Sequence, residues 1–118
     1  MPYPYTSNPQ RAYVTKALPV VALDGTNIAD VAPGAGARVA LTIGLTGFGT
    51  FGTSDVVMVF SGSIDAPLWA VALTKGSPCF TVTKAQIGDG ITQPIKAHTL
   101  TGFTANLFVS EVHELQGG

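Results

Sequence analysis

A chain of 118 residues makes one domain, because two would each be too small to hold a core. Only 11% of the residues are charged and the net charge is −1, against about a quarter charged in ordinary soluble proteins. The six Lys and Arg residues are scattered from Arg11 to Lys96, which argues against nucleic acid as a partner and against a basic membrane-surface helix.

Residues 1–11 read as an extended N-terminal arm. Met1-Pro2-Tyr3-Pro4-Tyr5 begins a stretch in which proline fixes φ, removes donors and blocks both helix and central strand. There is no basic segment followed by an apolar run, so the arm is not a signal peptide. No stretch reaches the length of a membrane-spanning helix.

From residue 12 onward, short apolar runs alternate with turn signals, the spacing of sandwiches and barrels. The run 12–23 contains Pro19, which predicts an edge strand or a bend there. Asp24-Gly25 marks a turn, and 26–37 reads as a loop with a short strand. The clearest strand is 38–46, with Val39, Leu41, Ile43 and Leu45 on one face. The following segment, 47–53, is a glycine-rich loop carrying Phe48 and Phe51. Further strands are expected at 54–64, 67–74, 78–84, 91–100 (broken by Pro94) and from 102 to about 114, with a turn at Gly88-Asp89-Gly90. Residues 82–87 can hold a single helical turn at most. The expectation is an all-β, single-domain antiparallel β-sandwich or barrel, jelly-roll-like or Ig-like, spanning 12–118 behind the arm.

Two strands are apolar on both faces. They are Val56-Val57-Met58-Val59-Phe60 and Leu68-Trp69-Ala70-Val71-Ala72-Leu73. An antiparallel sandwich strand ordinarily buries one face and wets the other, so the second face needs a cover. The arm, a loop, a third layer or a neighbouring subunit could supply it, and a neighbour is the leading expectation.

No catalytic set emerges. His98 lies in a strand between Ala97 and Thr99. Glu111 and His113 would share a strand face, but with no third ligand they read as a solvated strand end. Pro33-Gly34-Ala35-Gly36-Ala37 lacks the Lys-Ser/Thr and the helix that a phosphate loop needs, so it is a turn. The lone Cys79 allows no internal disulfide and reads as a small hydrophobe. Trp69, flanked by Leu68 and Val71, reads as core rather than as a platform for stacking sugars. Phe48 and Phe51, with glycines around them, read as aromatic plugs for a pocket on a partner. Neither an enzyme nor a cofactor or metal protein is expected.

The Pro/Tyr arm, the Thr/Gly/Ala-rich β domain, the scarcity of charge and the lack of a catalytic set together resemble small virion proteins of tailed bacteriophages, most of all head decoration (cement) proteins. That resemblance implies a β module, often trimeric, that clamps neighbouring major capsid protein subunits in a virion assembled in the host cytoplasm. Tyr3, Tyr5, Phe48 and Phe51 are the expected partner-binding residues. A vertex or tail protein of the virion, or a small carbohydrate-binding sandwich, would fit the same composition.

Overall fold

The computed structural model describes residues 12–25, 28–63, 65–99 and 102–115. Among them are eight strands: β1 (Tyr13–Gly25), β2 (Ile28–Ala32), β3 (Arg38–Thr46), β4 (Val57–Gly62), β5 (Pro67–Leu73), β6 (Cys79–Thr83), β7 (Ile95–Thr99) and β8 (Phe103–Glu114). One helical turn, α1 (Lys84–Ile87), and a 3-10 turn at Gly88–Thr92 lie between β6 and β7. The strands form two antiparallel sheets, ordered β1-β8-β3-β6 and β2-β7-β4-β5. Apart from the β4–β5 hairpin, successive strands cross from one sheet to the other, in the order of a jelly roll. An Ig-type sandwich would instead keep the first two strands in one sheet.

The alternation in the sequence places the core. Leu41, Ile43 and Leu45 of β3 and Phe103, Ala105, Leu107 and Val109 of β8 turn inward from the first sheet. Val57, Val59, Trp69, Leu73, Ile95 and Ala97 meet them from the second. Burying each of the Val, Leu, Ile and Phe side chains stabilises the fold by about 1.5–3 kcal/mol before the cost of ordering, and the two alanines contribute less. Trp69 and Phe80 reach across the sandwich, edge to face, with ring centroids 6.4 Å apart. The Trp69 Nε1–H donates to the Gly90 carbonyl at 3.0 Å.

Two register shifts matter. Pro19 lies where β1 slips against β8, between Leu18 and Val21. β1 is also an edge strand, so a residue without an N–H costs the ladder little there. The second shift lies between Arg38 and Ala40, where two residues of β3 face one of β8. It turns Arg38 into the interior, where the side chain is fully buried.

Several boundaries differ from the sequence reading. β4 begins at Val57, because 53–56 form a turn in which Asp55 accepts from the Gly52 N–H at 2.8 Å. Gly88-Asp89-Gly90 belongs to the 3-10 turn, which carries Ile91 into the core, and β7 starts only after Pro94.

Candidate interaction surface

The outward face of the second sheet carries the feature of interest. Cross-strand register sets its side chains in rows. Ile28, His98, Met58 and Ala72 form one row, and Asp30, Lys96, Phe60 and Ala70 form the next. Leu68 lies one step further along β5. Ile28 is 49% exposed and Leu68 64%, with Ala70 and Ala72 exposed beside them. Asp30 and Lys96 pair with each other at 3.4 Å and are the charged residues of these two rows. Such a pair at the surface contributes little stability. The Nδ1 of His98 is buried without a hydrogen-bond partner. The exposed apolar residues thus lie along the two outer strands, Leu68, Ala70 and Ala72 on β5 and Ile28 on β2, and exposed apolar surface of this kind marks contact sites.

At the β2–β7 end of this face an open groove of about 460 Å³ is lined by Asp30, Val31, Ala32, Pro33, Pro94 and Lys96. The two prolines supply rigid apolar walls, and the ion pair closes one side.

Both two-sided strands therefore do present apolar groups outward, but unequally. Phe60 alternates with the inward Val57 and Val59 and is still only 1% exposed. Met58 is half-buried. The uncovered part belongs to β5 and to Ile28.

The expected partner-binding aromatics divide. Tyr3 and Tyr5, with the rest of the arm, lie outside the described residues. Phe51 is corrected: it is 2% exposed and packs edge-on against Phe103 at 4.7 Å between centroids. Its glycine neighbours let the loop bend back over the sandwich, with the Phe51 N–H donating to the Phe48 carbonyl at 2.6 Å. Gly49 adopts φ +49°, and a Cβ there would lie 2.2 Å from Thr104 Oγ1, so only glycine allows this approach. Phe48 is half-buried, stacked on Phe51 at 6.0 Å with the Lys75 ammonium 5.7 Å above its ring. Neither ring projects as a free plug. Trp69 is buried and hydrogen-bonded, so it offers no stacking platform to a sugar.

Glu111 and His113 share a face as their spacing predicts, but the solvated strand end is corrected. Glu111 is buried and forms an ion pair with Arg38, and its other oxygen lies 2.9 Å from His113 Nε2. Arg38 also donates to the carbonyls of Ile91 at 2.7 Å, Gln93 at 2.9 Å and Pro33 at 3.0 Å. The guanidinium thus ties the 3-10 turn and the β2–β3 loop to β8. It holds the two proline walls of the groove in place, because the Pro33 carbonyl is one of its partners and Pro94 follows another, Gln93. Sequence reading missed this cluster, since Ile91, Gln93 and Glu111 lie 53 to 73 residues from Arg38. An Arg opening a hydrophobic strand was the available signal.

Among the described residues, no group of three or more His, Cys, Asp and Glu side chains is placed to hold a metal ion. No helix among them is long and apolar enough to cross a membrane. Cys79 is exposed on the edge strand β6.

No family model matches this chain, and no curated protein does. Among solved structures it is similar to a chain from work on Bacillus endospore appendages, described as a novel family of disulfide-linked pili. The identity is 18%, the TM-score is 0.57, and the match covers 92% of this chain and 94% of that one. At that identity the likeness establishes a shared fold over nearly the whole of both chains.

Proposed function

We propose that this chain is a non-catalytic structural subunit that works by seating the outer face of its β2-β7-β4-β5 sheet against other protein. The observation that carries the reading is the exposed apolar edge formed by Leu68, Ala70 and Ala72 on β5, with Ile28 exposed on the opposite edge, in a chain with very little charge to keep it apart from its neighbours. The likeness in fold to a pilus protein supports a repeated-assembly role in general. The finer proposal is a decoration module on the major capsid protein of a virion, assembled in the host cytoplasm. Many copies would each bury modest apolar area across subunit seams, and repetition over a shell would multiply the effect.

The covalent scheme named for the pili does not transfer. One cysteine per chain can join two copies and no more, so this sequence by itself cannot build a disulfide-linked polymer. Repetition beyond a disulfide-joined pair would therefore rest on non-covalent contacts.

The test is cosedimentation of the purified chain with tailed-phage heads stripped of decoration protein. Wild type is expected to bind, and Leu68→Lys to lose at least tenfold in affinity while melting within about 2 °C of wild type, since Leu68 is exposed. Binding by Leu68→Lys equal to wild type, or no binding by wild type, would overturn the capsid reading.

A further inference from the structure

The other side of the sandwich carries an aromatic ring on a small, neutral surface. On the outward face of the β1-β8-β3-β6 sheet, Phe108, Gly44 and Cys79 lie side by side in one row. A Cβ at Gly44 would lie 2.5 Å from two carbons of the Phe108 ring, so the ring leans across β3 and fills the space the glycine leaves. It remains 36% exposed. A ring laid across a sheet in this way rests one side on backbone and turns the other to solvent.

The rows on either side supply polar groups. Thr42 and Ser110 pair in one, Thr46 and Asn106 in the other, each about 7 Å along the strand from the ring's row. All four are exposed or half-buried. A 2.8 Å hydrogen bond to Thr81 on β6 holds the Thr42 hydroxyl in place. From Val112 to Asn106 along β8, and on the strands beside it, the described outward side chains are uncharged. Glu114 and Asp24 stand beyond the two ends of this stretch.

We propose that this face binds a neutral oligosaccharide, with one sugar ring stacked on Phe108 and its hydroxyls bonded to the flanking Thr, Ser and Asn side chains. The negative face of an aromatic ring attracts the weakly positive C–H bonds on the apolar side of a pyranose. Hydroxyl and amide groups both donate and accept, as sugar hydroxyls do. Charge decides among the ligands that stack. Nucleobases also stack on such a ring, but their phosphates need cations beside it, and this face has none. Acidic glycans need the same cations. A protein partner would need a larger apolar centre than one phenyl group among hydroxyls. The site lies on the sheet opposite the assembly surface proposed above, and its chemistry does not depend on that reading.

The experiment titrates the full chain with cellohexaose, chitohexaose, maltohexaose and mannohexaose, and with a heparin hexasaccharide as the acidic comparison, followed by amide chemical shifts in NMR spectra. At least one neutral hexasaccharide is expected to bind, with its largest shifts at Thr42, Phe108 and Ser110. Phe108→Leu still covers Gly44 but has no flat ring, and is expected to weaken binding about tenfold. Gly44→Ala keeps the phenyl group and pushes it off the sheet, so a similar loss is expected although no ligand contact is deleted. Leu68→Lys, on the other sheet, is expected to bind sugar as wild type does, which separates this site from the assembly surface. Absence of binding by all four neutral sugars, tighter binding of the heparin fragment, or unchanged affinity in Phe108→Leu and Gly44→Ala would overturn the proposal.

Discussion

Replacing Arg38 with Met tests the buried cluster that shapes the groove. The side chain is fully buried, and its loss leaves the Glu111 carboxylate inside the protein with His113 as its polar partner among the described residues. It also strands the carbonyls of Ile91, Pro33 and Gln93. Pro33 and Gln93 are exposed and can recruit water, whereas Ile91 is buried. The cost is therefore dominated by the uncompensated carboxylate, about 3–5 kcal/mol from the general behaviour of broken buried pairs. In a domain whose whole stability is about 5–15 kcal/mol, that is a drop in Tm of about 10–20 °C. Arg38→Met/Glu111→Leu removes both charges and is expected to regain most of the loss, because a well-packed apolar pair avoids the desolvation penalty. Urea denaturation followed by Trp69 fluorescence gives both free energies. A single variant within about 1 kcal/mol of wild type, or a double variant less stable than the single, would refute the reasoning.

Phe51→Ser is expected to destabilise by about 3–5 kcal/mol, as a core deletion does, and Phe48→Ser by about 1 kcal/mol; thermal melts that rank the two equally would contradict the burial that separates them. In Gly90→Ala the new Cβ would lie 2.9 Å from the Trp69 ring, so the indole must shift. That costs about 1–3 kcal/mol and moves the Trp69 emission maximum, and an unchanged spectrum with unchanged stability would show that the ring is loosely held.

Much of the fold was legible locally. Strand periodicity is a property of neighbouring residues, so β3 and β8 could be placed from alternation in Leu41–Leu45 and Phe103–Val109, whereas the bulge put Arg38 rather than Val39 inside. Pro19 announced both an edge and a bend because its missing N–H is a local fact. The two-sided apolar strands likewise marked the sheet whose outer face carries Leu68, although not the part of that face left uncovered.

The sequence by itself determined an all-β chain with little charge and with strands greasier than one core requires, since these follow from composition and a period of two. Only the tertiary structure decided that Arg38 turns inward, that Phe51 joins the core, and that Leu68 and the Pro33–Pro94 groove end up on opposite edges of one face. The reason is physical. A bulge flips a side chain through the register of a strand 70 residues away, and a loop is buried by whatever it folds against. Neither partner is visible in the neighbouring residues.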